Sequence, residues 1–227
     1  MIQSERMASV GVVAAGIVHN LRNPLNGILG FGEFLLDERP DVEYLDQIVL
    51  AARQMNEMIE NILAKSRQRG RSEPVDLNAL LERELDFLEA NRTFKYSVER
   101  DIDLADGLPP VTAVYTDLSQ VFGNLLRNAV DAMYGRETKR LTVVSRLEDG
   151  HVAVEVGDTG CGIPEEHVGR LFDPFFTTKS PGEGEDGPVG TGLGLYMVQR
   201  LLEAYGATVA VDSTVGAGTT FRVRIPV

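Results

Sequence analysis

VGDTGCGIP, residues 156–164, sets an aspartate at the end of an apolar alternating run and follows it with two glycines. The run HVAVEVGD (151–158) reads as a strand that ends on Asp158, and LTVVSRL (141–147) before it reads as its hairpin partner around an EDG turn. A carboxylate at a strand end can accept a hydrogen bond from an exocyclic amino group. Gly160 and Gly162 permit close approach of the backbone to a planar ligand. Taken alone, the pattern also fits a glycine-rich turn with aspartate as turn former.

Downstream, RLFDPFFTTK (170–179) sets Phe172, Phe175 and Phe176 beside Arg170 and Lys179. The next ten residues, SPGEGEDGPV, are too polar and glycine-rich to pack, and read as a mobile flap. GTGLGL (190–195) then leads into a helix from about Leu193 to Tyr205, whose N-terminal amides can receive phosphate oxygens, with Gly190, Gly192 and Gly194 shaping the approach. A flexible loop accounts for this stretch equally well.

Upstream, TDLSQVFGNLLRNAVDAM (116–133) is an amphipathic helix, its start assigned to Thr116 or Asp117. Asn124 and Asn128 stand four apart on one helical face. Carboxamide oxygens suit a hard cation such as Mg²⁺, although surface asparagines bonding locally give the same pattern. A helix over Leu77–Glu89, strands in KYSVERDI (95–102) and PPVTAVY (109–115), and closing strands TVAVDS (208–213) and TTFRVRIPV (219–227) complete this part. Mixed helices with largely antiparallel strands make it an α+β sandwich.

The first third is organised differently. From Ala8 to Leu36, Val12, Ala15, Ile17, Val18, Leu21, Leu25, Ile28, Leu29 and Leu35 recur at helical steps. A stop falls at Pro40, and a second stripe runs through Leu45, Ile48, Ala52, Met55, Ile59 and Ile62. A hairpin of this size has little core of its own, so two copies forming a dimeric four-helix bundle bury both stripes. A hairpin packed on the rest of its own chain is the other arrangement. The polar stretch SRQRGRSEP (66–74) marks a linker. The expected boundaries are a helical hairpin at 1–69, a linker at 70–75 and a sandwich at 76–227.

The chain has 227 residues, 43% of them hydrophobic, and 34 acidic against 22 basic side chains give a net charge of −12. That balance argues against sequence-independent nucleic-acid binding, but a nucleotide can still be held with Mg²⁺ and local donors. One cysteine, Cys161, excludes an internal disulfide. No run approaches the roughly 18 apolar residues that span a bilayer. The expected location is cytoplasmic.

In this order and spacing the four clusters resemble the N, G1, F and G2 boxes of the ATP-binding domain of sensor histidine kinases, within the ATPase superfamily that includes gyrase, heat-shock chaperones and mismatch-repair proteins. GAGTTFRVRIP (216–226) resembles that domain's closing strand. The resemblance implies Asn128 as ligand to Mg²⁺ with Asn124 in support, and Asp158 on the adenine amino group. Gly160 and Gly162 would lie at the base, with Thr219 assisting through water. Arg170 and Lys179 would meet the phosphates, and Gly190, Gly192 and Gly194 the triphosphate turn.

AAGIVHNLRNPLNGILG (14–30) resembles the H box of the same family, which makes His19 the phosphoacceptor on the first helix of a homodimeric bundle. A neutral imidazole is nucleophilic near neutral pH, and Pro24 bends the helix beside it. The implied activity is ATP-dependent autophosphorylation of His19 and phosphotransfer to a response-regulator receiver aspartate. One position departs from the family. Asn20 stands where an acidic residue usually acts as general base, and a carboxamide cannot take up a proton. Asn23 matches the family residue that orients water for dephosphorylating the partner, so a lean toward phosphatase activity follows. Two other readings stay open: a nucleotide-binding pseudokinase scaffold, suggested by Asn20, and a clamp-type ATPase as in the chaperone branch.

Overall fold

The computed structural model describes residues 71–89, 97–179, 188, 190 and 192–227, together with Leu25, Ile28, Leu29, Leu35 and Ala52. The expectations for His19, Asn20, Asn23, Pro24 and the turn at Pro40 fall outside the described residues. The chain forms two compact units, Met1–Gln68 and Arg69–Val227. In the first, the five described residues are helical; Leu25 and Ala52 are buried, whereas Ile28 and Leu35 are each 46% exposed.

The second unit runs β1 (Glu73–Val75), α1 (Leu77–Glu89), β2 (Glu99–Leu104), β3 (Val111–Ala113), α2 (Tyr115–Ala132), β4 (Arg140–Glu148), β5 (His151–Asp158), α3 (Glu165–Val168), α4 (Gly194–Glu203), β6 (Thr208–Thr214) and β7 (Gly218–Pro226). Five strands form one sheet in the order β2-β4-β5-β7-β6, and β1 pairs with β3 in a small second sheet. The pairing is antiparallel except between β2 and β4, which run parallel. The strand expected at 95–102 instead begins at Glu99 and continues to Leu104; Ser97 is helical.

Alternation along the strands produces the core. Leu141 and Val143 of β4, Val152, Val154 and Val156 of β5, and Phe221, Val223 and Ile225 of β7 are buried in one apolar cluster. Leu80, Leu81 and Leu85 of α1, Leu118, Val121, Phe122, Leu125 and Leu126 of α2, and Val198 and Leu202 of α4 belong to the same cluster. Helices on a sheet make the two-layer sandwich expected from the element pattern. The β4–β5 hairpin closes on Asp149 and Gly150, both with positive φ (47° and 73°), as a two-residue turn between twisted strands requires. Ser145 is fully buried but satisfied: it donates to Asn78 Oδ1 at 2.8 Å and accepts from the Ala105 amide at 3.1 Å, joining α1, β4 and the end of β2.

The start of α2 corrects the sequence reading. Its cap position is Val114, no side chain of its own caps it, and Asp117 lies inside the first turn. The Tyr205 hydroxyl, from just beyond α4, accepts the Val114 amide at 3.2 Å and donates to the Asp117 carboxylate. A tertiary contact thus replaces the local cap that Thr116 or Asp117 would have supplied. Tyr205→Phe strands both groups and is expected to cost about 1–3 kcal/mol, seen as a lower urea midpoint with an unchanged slope.

Candidate functional site

The site forms where β5 ends, between α2 and the start of α4. Asp158 is the last residue of β5 and pairs with Thr219 on β7. Its carboxylate accepts the Gly160 amide at 2.8 Å, and the Thr219 amide also donates to it. Burial pushes the Asp158 carboxyl up to about 6, against the opposing pull of the Gly160 and Thr219 amides and the Lys179 charge. The Thr219 hydroxyl lies 2.8 Å from the Ser213 hydroxyl, so side chain and amide serve different partners.

The glycines around Asp158 are demanded by the protein's own packing. A Cβ on Gly160 would lie 2.5 Å from the Ala132 carbonyl oxygen and 2.6 Å from Asp158 Oδ1. At Gly162, with φ +70°, it would lie 2.1 Å from the Thr214 carbonyl oxygen, and at Gly218 only 1.9 Å from that of Asp158. The close approach read for Gly160 and Gly162 is therefore, in this structure, an approach to α2 and β6. Gly218 belongs to the same construction and was missed in the sequence, where nothing separates it from a turn glycine.

On α2 the two asparagines reach different partners. Asn124 accepts from Arg127 at 2.6 Å and donates to the Gly194 carbonyl at 3.2 Å, which ties α2 to the first residue of α4. Asn128 Oδ1 accepts the Lys179 ammonium at 3.0 Å, and Asp131 Oδ2 accepts it at 2.8 Å. Asp131 carried no role in the sequence reading. Its signal was present as the fourth polar residue of NLLRNAVDAM, seven after Asn124 and three after Asn128.

Lys179 is thus brought to Asn128 and Asp131, and its charge is felt at Asp158. Arg170 is placed elsewhere: its guanidinium lies 4.6 Å from the centroid of the Phe176 ring, with Nε 3.7 Å from Asp173. Gly190 and Gly192 pack on the segment that carries Lys179. A Cβ on Gly190 would meet Thr177 Oγ1 at 2.8 Å and Lys179 Cδ at 3.2 Å, and the Gly192 carbonyl accepts the Phe175 amide at 3.0 Å. At Gly194 a Cβ would find only ordinary contact with Asn124, so its importance here is positional. Among the described residues no side chain caps α4. Its first-turn amides are donors suited to an anion.

A pair of oxygens on one cation, a half-buried carboxylate at a strand end and a helix start without a side-chain cap all belong to one α+β sandwich. The chain belongs to the histidine kinase-, DNA gyrase B- and HSP90-like ATPase family, whose model matches residues 113–227. A His Kinase A (phospho-acceptor) domain matches residues 9–71. Over the whole chain it is 35% identical to the signal transduction histidine-protein kinase AtoS of Escherichia coli (strain K12), and it covers 36% of that protein. Sporulation kinase E of Bacillus subtilis (strain 168) is 30% identical over 99% of this chain, which spans 30% of that relative's length. Among solved structures, full-length ShkA in complex with AMPPNP superposes with a TM-score of 0.70 at 27% identity, over 94% of this chain and 45% of ShkA. The catalytic domain of histidine kinase ThkA gives 0.59 at 28% identity, over 69% of this chain and 96% of that domain. No helix among the described residues is long and apolar enough to cross a membrane.

Proposed function

We propose that this chain is the catalytic core of a dimeric sensor histidine kinase, which transfers the terminal phosphoryl group of ATP to His19 and then to an aspartate of a response-regulator receiver domain. The observation that carries the reading is the order of the two modules. A phospho-acceptor domain containing His19 precedes an ATPase-family domain whose Asp158, Lys179 and Asn128 converge. The proposed boundaries are 1–69 for the hairpin, 70–75 for the linker and 76–227 for the ATP-binding domain, in a cytoplasmic setting. Helical Ile28 and Leu35, seven positions apart and each nearly half exposed, support a homodimer that covers them.

The residues present fit a divalent cation, because the Asn128 and Asp131 oxygens already hold a cationic group, the Lys179 ammonium. Mg²⁺ asks for few protein oxygens, since it retains water and phosphate ligands. When bound, it offsets charge on the phosphates. Asp158 accepts the adenine amino hydrogen, the Gly160 and Thr219 amides hold its carboxylate, and Gly162 lets the following turn pack against β6 beside the base. Asn124 holds the start of α4 at Gly194, where amides receive phosphate oxygens. Gly190 and Gly192 let that loop lie against the segment carrying Lys179, and Arg170 reaches phosphate by leaving the Phe176 ring.

A ring nitrogen of His19 attacks the γ-phosphorus. The P–N bond forms as the bond to the β–γ bridging oxygen breaks, ADP leaves, and the imidazole proton passes to water or a carboxylate. Asn20 cannot accept that proton, so the forward step lacks a neighbouring base. Asn23 can orient water against an aspartyl phosphate on the regulator, and this supports a bias toward the phosphatase direction. The relatives lend nothing to the silent-scaffold alternative, and a phospho-acceptor domain has no place in a clamp-type ATPase.

The test is incubation with γ-labelled ATP and Mg²⁺. Acid-labile, alkali-stable label is expected on the protein, and Asn20→Glu is expected to speed its appearance by about 10²-fold. Absence of label from both proteins sinks the kinase reading. An ordinary rate that Asn20→Glu leaves unchanged sinks the phosphatase bias.

A further inference from the structure

The Lys179 ammonium sits where the ATP-site reading would put a metal ion. It lies 3.0 Å from the only oxygen of the Asn128 carboxamide and 2.8 Å from Asp131 Oδ2, with the lysine and aspartate side chains only 24% and 35% exposed. Two oxygens converging on one cation from adjacent turns of α2 make a place for a positive charge. A magnesium ion bound to the Asn128 oxygen at about 2.0–2.1 Å and an ammonium on that same oxygen exclude each other by size and by charge.

We infer that Asp131 is a positioning residue that makes nucleotide capture depend on a divalent cation, its carboxylate holding Lys179 on the Asn128 oxygen until Mg²⁺ takes that place. This rests on the reading of the site as one for ATP. Without the divalent ion, an incoming polyphosphate meets the Asp131 carboxylate as a like charge, and must pull Lys179 away from both of its oxygen partners. With the ion, the carboxylate is neutralised at short range, Asn128 becomes a metal ligand, and the displaced ammonium can turn to the phosphates. One exchange of cations thereby reverses the sign of two interactions. A carboxamide at position 131 can still accept a hydrogen bond from Lys179 but carries no charge, so it removes the discrimination while nearly preserving shape.

The experiment is a calorimetric titration of the full chain with ATP, once with excess Mg²⁺ and once with EDTA, for the wild type, Asp131→Asn and Asp131→Glu. The quantity read is the ratio of the two dissociation constants, a binding linkage that needs no turnover. In Asp131→Asn the ratio is expected to fall by about fivefold or more, through tighter metal-free binding and weaker binding with Mg²⁺, and Asp131→Glu is expected to restore most of it. A purely structural role would shift both constants together and leave the ratio alone, and that result overturns the inference. If the wild type fails to bind ATP even with Mg²⁺, the ATP-site reading itself falls and the inference falls with it. A wild type that shows the linkage beside an Asn variant that shows it equally removes only the role of Asp131.

Discussion

His19→Ala protein is expected to carry no acid-labile phosphate after incubation with Mg²⁺ and ATP, while binding ATP as tightly as the wild type does. The loss should be complete because the phosphoryl acceptor must be a nucleophile that is largely uncharged near neutral pH. An imidazole with an ordinary value near 6.5 meets that condition, whereas a lysine does not. Of the other two histidines, His151 lies at the β4–β5 turn with Nδ1 2.9 Å from the Asp149 carbonyl, and His167 lies in α3 against Phe176. Neither lies within the phospho-acceptor match. Binding should persist because His19 belongs to the unit Met1–Gln68, whereas Asp158, Asn128 and Lys179 belong to Arg69–Val227. Scintillation counting after acid and alkali treatment, beside a titration with ATP, checks both halves. Label retained by the variant would move the acceptor elsewhere. Label and binding lost together would mean that the substitution damages more than the acceptor.

The sequence revealed the elements whose signals are local. Leu77–Glu89 is helical because its leucines recur at helical spacing, and the β4–β5 hairpin follows from alternation on both sides of a turn with Asp149 and Gly150. It did not reveal how α2 begins, because the group that satisfies Val114 and Asp117 is a hydroxyl some ninety positions away. Nor did it reveal that β2 lies parallel to β4. Pairing direction depends on how the chain crosses the core between them, and α2 fills that crossover.

The site divides along the same line. Asp158 was legible because it ends a strand before glycines, and Asn128 because it lies one helical turn from Asn124. Asp131 looked like an ordinary solvated helix residue until Lys179, 48 positions later, was found against it. The glycines stand out for their freedom from a side chain, and the structure adds a packing reason for it beside the expected ligand. What crowds Gly160 and Gly162 is the backbone at Ala132 and Thr214, and no spacing rule encodes those contacts. Arg170 is assigned to phosphate by the family resemblance, and no local signal in the sequence shows that its guanidinium stacks on Phe176 in the structure.

Asp158→Ala is expected to weaken ATP binding by about 100-fold, and the wild-type affinity is expected to fall as pH drops through about 6. The first figure follows from losing a charge-assisted hydrogen bond in a half-buried position, an effect of about 1.5–3 kcal/mol. The second follows from the raised Asp158 carboxyl, which titrates near 6 because burial outweighs the amides and Lys179 that favour its charge. If the carboxylate form is the one that binds, about a tenth of the sites retain it one pH unit below that value, so affinity should be about tenfold lower at pH 5. Stability moves the other way. With the folded value near 6 and the unfolded value near 3.8, the folded chain holds a proton that the unfolded chain releases between those limits. The stability contributed by this group therefore falls as pH rises from about 4 to 6, and the penalty stands in full above 6. Asp158→Asn separates this effect from titration of the nucleotide's own phosphates, which acts on both proteins alike. Titrations with ATP and Mg²⁺ across pH 5 to 7.5 should show a wild-type curve steeper than that of the Asn variant. Parallel curves would mean that adenine is held without the charge on Asp158.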